Sequence, residues 1–168
     1  MMSLTEDKQT LFSEVEKELA SQGFTIEKKD MSRPWGGFFV IQEEQAPRFA
    51  EVYFNQVNVD DLKISGKLSP KILIVAPEKR LSWQYHHRRA EIWKVLKGEV
   101  GVVTSDTDEE GELQKLAPET TITLKQGERH RLVGLNDWGV LAEIWRHTDA
   151  ENPSDEEDIV RVQDDFGR

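Results

Sequence analysis

Leu81-Ser82-Trp83-Gln84-Tyr85-His86-His87-Arg88-Arg89-Ala90-Glu91-Ile92-Trp93 is the stretch on which the reading of this chain turns. In an extended strand alternate side chains share a face. Ser82, Gln84 and His86 therefore point one way, and on the next run Glu91, Trp93 and Val95 share a face. A hairpin between the two runs would bring Gln84, His86 and Glu91 together. A fourth group, His130, follows the turn at Gly127. Two imidazoles, a carboxylate and an amide form a borderline-hard donor set. It suits Zn, Mn, Fe, Co or Ni better than Ca or Mg. On spacing alone, a metal site and a row of ordinary strand polar residues fit equally.

The surroundings of this stretch are strand-like. Short runs at 38–42, 49–57, 71–76, 81–87, 91–97, 99–104, 113–116, 120–124, 130–134 and 139–146 are separated by turn signals. Those signals fall at Ser65-Gly66, Gly98, Asp106 to Gly111, Gln126-Gly127 and Asn136-Asp137. Many short strands at such spacing predict an all-β sandwich or barrel. Before them, Leu4, Leu11, Phe12, Val15 and Leu19 recur at helical spacing, predicting one amphipathic helix over 3–22. Ser3 with Glu6 fits a capping box, and Gly23 fits a stop. The expected organisation is an N-terminal helix and linker over 1–30 and a single barrel domain over 31–168.

Composition sets limits on this picture. The 168 residues carry 22 Lys plus Arg against 32 Asp plus Glu, a net charge of -10. That disfavours nucleic acid and anionic membrane as partners. The absence of cysteine excludes disulfides and thiolate metal sites. The longest apolar run, Ile72 to Ala76, is too short to span a bilayer. The N-terminal residues lack a basic and an apolar region, so no signal peptide is expected and a cytoplasmic location is. The acidic clusters at Asp106–Glu112 and Glu151–Asp158 read as solvated loops, without calcium-loop spacing.

The motifs are similar to those of the cupins, whose first signature is H-x-H, three or four residues, Glu, six residues, Gly. Gln84 stands in the first position, followed by His86, Glu91 and Gly98. Lys125-Gln126-Gly127-Glu128-Arg129-His130 resembles the second motif, without its Pro and with Gly134 in place of an Asn. The likeness is nearer still to the cupin domain of type II phosphomannose isomerases. It is carried by Arg33-Pro34-Trp35-Gly36, by the Leu81–Trp93 stretch, by His130-Arg131-Leu132 and by the tail from Glu157 to Arg168. Arg88 replaces a His of that family, and the connection from Asn55 to Lys71 is lengthened. The resemblance does not extend to the nucleotidyltransferase domain that often precedes this module, so guanylyltransferase activity is not expected of these 168 residues.

The resemblance implies a cupin-type double-stranded β-helix, a jelly-roll barrel led by an α-helix. It implies a metal-dependent aldose–ketose isomerase for a sugar phosphate, with mannose 6-phosphate and fructose 6-phosphate as the foremost pair. The one divalent ion, Zn before Mn, Fe, Co or Ni, would be held by Gln84, His86, Glu91 and His130. Proton transfer needs a base, and Glu91, His87 and Glu128 are the candidates. Strand parity turns His87 away from His86.

An anionic substrate is also suggested by charge. Lys79, Arg80, Arg88, Arg89 and Lys94 face only Glu78 and Glu91 in that stretch, with Arg129 and Arg131 beside His130. Ser82, Arg80, Arg89, Arg131 and Trp93 are the candidate substrate contacts. Arg33 and Trp35 are expected to cover one end of the barrel, and His147 to lie on the surface. The competing reading is a non-catalytic cupin that binds a sugar or sugar phosphate, since one fold hosts many functions. Pairing into a homodimer through edge strands is the expected assembly.

Overall fold

In the computed structural model, residues 8–55 and 67–166 are described. Among them, eleven strands form two antiparallel sheets. The first sheet runs in the order β1 (Ile26–Arg33), β2 (Gly36–Ile41), β3 (Lys71–Val75), β10 (Gly139–His147), β5 (Arg89–Lys97) and β8 (Thr121–Leu124). The second runs β11 (Val160–Gln163), β4 (Trp83–Tyr85), β9 (Arg129–Gly134), β6 (Val100–Ser105) and β7 (Gln114–Leu116). This is the all-β, jelly-roll architecture that the sequence implies.

The first sheet is covered on both faces, which is why its central strands read as unbroken apolar runs. On β3 and β10, Ile72, Ile74, Val140, Ala142 and Ile144 face the helices. Their neighbours Leu73, Val75 and Leu141 face the second sheet, against Val100, Val102 and Leu132. Polar side chains on this second face of β10 and β5 are thereby enclosed between the sheets.

The helix α1 (Lys8–Ser21) buries Leu11, Phe12, Val15 and Leu19 against the outer face. It ends in a Schellman motif: Gly23 N–H donates to Ala20 O at 3.0 Å and Phe24 N–H to Leu19 O at 3.0 Å. Gly23 takes the left-handed φ of 87° that the motif needs. The expected capping box at Ser3 and Glu6, the contact of Leu4 and the turn at Ser65-Gly66 lie outside the described residues.

One strand of the sequence reading is a helix. The run 49–57 falls largely on α2 (Ala46–Tyr53), with 56–57 outside the described residues. Phe49, Ala50 and Tyr53 look β-like one by one, but with Ala46 they are spaced i, i+3, i+4, i+7 and all are buried. Pro47 in the first turn fits a helix start. Two further strands, β1 and β11, lie outside the runs read from the sequence. β1 is mostly polar without a regular alternation, and β11 alternates Val160 and Val162 with Arg161 and Gln163 over four residues only; both are partly exposed edge strands defined by their pairing.

Candidate metal centre and cavity

The expected hairpin between β4 and β5 does not form. β4 pairs with β11 and β9, while β5 pairs with β10 and β8, so the two strands lie in opposite sheets. Residues 86–88 turn the corner between them. Gln84 and His130 are direct partners on the inner face of the second sheet, and Glu91 faces them from the first. The residues are brought together across the barrel interior, not along one ribbon.

His86 Nε2 stands 3.2 Å from Glu91 Oε2, and His130 Nε2 stands 3.4 Å from Glu91 Oε1. All three ligand-type atoms lie within 4.8 Å of one another. Each imidazole has its Nδ1 against a main-chain carbonyl: His86 at 2.7 Å from Asp158 O and His130 at 3.2 Å from Glu128 O. A carbonyl can only accept, so Nδ1 carries the hydrogen and Nε2 keeps its lone pair toward the carboxylate. Burial, with the Arg89 charge and His130 adding to it, lowers the His86 pKa to about 4 against the pull of Glu91. The ring is neutral at pH 7. Burial works against the Glu91 charge, but the Arg89 guanidinium beside it outweighs burial and holds the carboxyl well below the ordinary range.

This donor set fits a divalent ion. His130 Nε2 is buried with no hydrogen-bond partner among the described residues, a lone pair aimed at a carboxylate. Such an orphan acceptor is satisfied by a proton or a cation. A first-row metal requires imidazole nitrogens that offer a lone pair and an ionised carboxylate, which the Nδ1 contacts of both rings and the Arg89–Glu91 pair favour.

Arg89 is the cation now nearest. Its Nε donates to Glu91 Oε2 at 2.8 Å, and Nη1 reaches Ser154 Oγ and Asp155 O at 3.0 and 2.9 Å. Nη2 lies 3.3 Å from His86 Nε2, and the guanidinium stacks 3.6 Å from the Trp145 ring centroid. Asp158 anchors the corner between the sheets. Its carboxylate accepts from the backbone N–H of His87 and Arg88, both at 2.9 Å, and from Ser154 Oγ at 2.6 Å.

A cavity opens beside this centre. Gln84, Arg89, Glu91, Ser82 and Trp93 of the sequence-nominated residues line it. So do Arg33 and Trp35, together with Phe38, Lys71, Glu143, Glu156 and Arg161. Trp35 Nε1 is a buried donor with no partner among the described residues.

Other nominated residues are committed elsewhere. Arg80 is held by Asp165 at 2.6 and 2.9 Å. Arg131 points to the opposite face of β9 from His130, where it is fully buried and bonds Leu81 O, Glu110 and Gln163. His87 is exposed, its ring 5.5 Å from Tyr85. Glu128 receives the Lys125 N–H at 2.8 Å and closes the turn at Gly127. His147 is not a surface residue: it is fully buried, bonded to Ser154 N and Ser69 Oγ. Its place on the inner parity of β10 was readable once that strand's enclosed face is known.

The acidic loops are exposed as expected, and their acids also pair with cations: Glu110 and Asp108 bind Arg131 and Arg129, and Glu156 bonds Lys71 at 2.7 Å. The exception is Asp158, which is buried. Sequence reasoning passed over Glu143, Lys71, Arg161 and Asp158. Glu143 had one signal, an acid inside the apolar run of β10.

The family model for mannose-6-phosphate isomerase C-terminal matches residues 42–164. The alginate biosynthesis protein AlgA of Pseudomonas aeruginosa is 26% identical over 170 residues, all of this chain and 29% of that protein. The xanthan biosynthesis protein XanB of Xanthomonas campestris is 30% identical over 109 residues, 65% of this chain and 22% of that protein. The chain thus spans less than a third of the length of these relatives. A variant of the Bacillus subtilis oxalate decarboxylase OxdC aligns with a TM-score of 0.54 at 13% identity, over 80% of this chain and 30% of that one. That likeness concerns the cupin barrel alone. Among the described residues no helix is long and apolar enough to cross a membrane.

Proposed function

Because the chain belongs to the mannose-6-phosphate isomerase C-terminal family, we propose that it is a metal-dependent isomerase of sugar phosphates. Mannose 6-phosphate and fructose 6-phosphate are the pair we assign, and Zn the first metal to test. The observation that carries this reading is the meeting of His86, Glu91 and His130 within 4.8 Å, next to a cavity lined by Arg33, Lys71, Arg89 and Arg161 as well as by Glu143 and Glu156.

Gln84, His86, Glu91 and His130 would hold a divalent ion, which would supply Lewis-acid polarisation of the substrate's carbonyl and hydroxyl oxygens. The protein's own groups bind and orient. Arg33, Arg161 and Lys71 line the cavity and suit a phosphate, which arginine can hold through two parallel bonds. Ser82 and the unpartnered indole N–H of Trp35 offer donors to sugar oxygens. Phe38 and Trp93 give an apolar wall for the sugar's C–H face and limit water. Arg89 keeps Glu91 ionised and oriented.

The test is to load purified protein with Zn or Mn and follow hexose phosphates by NMR. Interconversion of mannose 6-phosphate and fructose 6-phosphate is expected, with loss of both activity and bound metal in His86→Ala. No interconversion of any hexose or pentose phosphate overturns the reading. Tight phosphosugar binding without turnover would favour the non-catalytic binder.

A further inference from the structure

Glu143 sits at mid-strand in β10, on the face enclosed between the sheets, and is 4% exposed. Its register partners are Trp93 on β5 and Lys71 on β3, and Glu91 lies one inward position farther along β5. It lines the same cavity as Gln84, Ser82 and Glu91. Both carboxylate oxygens are oriented by indoles: Trp93 Nε1 donates to Oε2 at 2.7 Å and Trp145 Nε1 to Oε1 at 3.0 Å. Each oxygen keeps a further lone pair.

The cations around Glu143 serve other acids. Lys71 Nζ bonds Glu156 at 2.7 Å, and Arg89 Nε bonds Glu91 at 2.8 Å. A carboxyl group thus stands in an enclosed cavity, fixed by neutral donors and without a salt-bridge partner among the described residues. Packing alone would be met by an apolar side chain. The charged groups facing it are Lys71 from β3, Arg89 and Glu91 from β5, and Glu156 from the segment after β10. Burial and the Glu91 charge push its pKa up to about 7, against Lys71, Arg89 and the Trp93 N–H. A carboxyl balanced there exchanges protons efficiently at neutral pH.

We propose that Glu143 is the group that carries the proton between C2 and C1 of the substrate. This rests on the isomerase reading above. The Glu143 carboxylate takes the proton from C2 of the aldose. The C–H electron pair becomes the C1=C2 bond, and the carbonyl pair moves onto O1. The hydroxyl proton passes from O2 to O1. The pair on O2 then re-forms a carbonyl at C2, and the C1=C2 pair takes the proton from the Glu143 carboxylic acid onto C1. His87, Glu128 and Glu143 differ in position: of these three, Glu143 lines the cavity.

The experiment compares wild type, Glu143→Gln and Glu143→Asp, each loaded with the same metal. It measures kcat, KM, metal content, mannose 6-phosphate binding by calorimetry, and deuterium uptake at C2 in heavy water. We expect Glu143→Gln to lose about 10²–10⁴ in kcat and its deuterium uptake, with KM and bound metal within about threefold of wild type. Glu143→Asp should fall between. If Glu143→Gln does not fold, Glu143→Asp decides: a lower kcat at unchanged KM supports the assignment, and an unchanged kcat overturns it. Isomerisation undiminished in Glu143→Gln overturns this assignment alone. A wild type without isomerisation overturns the isomerase reading and this assignment with it.

Discussion

Replacing Asp158 by asparagine should cost the protein about 2.5 kcal/mol of stability at pH 7, and the loss should shrink in acid. The side chain is buried at the corner joining β4 to β5, where the Ser154 hydroxyl and the amides of His87 and Arg88 all donate to it. Burial opposes its charge. Those three donors and the Arg88 charge prevail, holding its pKa at about 2 against an ordinary 3.8. At about 1.4 kcal/mol per tenfold, that difference gives the figure of about 2.5 kcal/mol.

The sign follows from the folded value being the lower one. The stabilisation is complete above the unfolded pKa of 3.8 and is lost as pH falls through about 2. Roughly half should therefore remain at pH 3. Asparagine keeps the shape but removes the charge and turns an N–H₂ toward existing donors. Urea unfolding of both proteins at several pH values from 7 to 3 measures the gap. A gap below about 0.5 kcal/mol at pH 7, within ordinary surface-substitution scatter, would refute the reasoning. So would a gap that stays constant down to pH 3.

His130→Ala should abolish metal uptake, read by elemental analysis after loading, and with it any metal-induced rise in melting temperature. Chelation of loaded wild type should reverse a stabilisation of about 2.7 kcal/mol where the free metal stands at a hundred times its Kd. Arg89→Lys keeps the charge but cannot serve Glu91, Ser154 and Asp155 together. It should weaken metal binding about tenfold by titration calorimetry. Phe49→Ala should cost about 3–5 kcal/mol in denaturant melts, since a fully buried ring on α2 leaves a cavity. Gly134→Asn should fail to reach wild-type stability, because a Cβ there overlaps the Ala76 carbonyl oxygen.

That last position shows how a departure from a motif acquires a reason. The sequence has Gly134 where cupins carry Asn, and nothing local explains it. In the fold, the turn after β3 lies against the end of β9, with Gly134 N–H donating to Lys79 O. The backbones approach too closely for a side chain. The α2 segment shows the converse. Its helical spacing was present all along, but single-residue β preference masked a period of 3.6 over eight residues.

The alternation of Gln84 and His86, the shared face of Glu91 and Trp93, and the all-β character of the barrel were set by local sequence. Strand parity is a property of the backbone, so it is legible without knowing partners. The partners themselves were not. Whether the runs around Gln84 and Glu91 form a ribbon or face each other from two sheets depends on pairing with β9, β10 and β11, which are distant in the chain. The same holds for charge. The arginines near the site are visible in the sequence as a cluster, but the fold ties Arg80 and Arg131 to acids away from the cavity, and lines the cavity with Arg89 of that cluster and with Arg33 and Arg161 from distant segments. Glu143 depends on it most. An acid in an apolar strand becomes a cavity carboxyl with a raised pKa only when the second sheet encloses it and Trp93 and Trp145 fix its oxygens. Sequence sets which face a side chain takes; desolvation and the neighbours that decide its chemistry come from what the fold packs against that face.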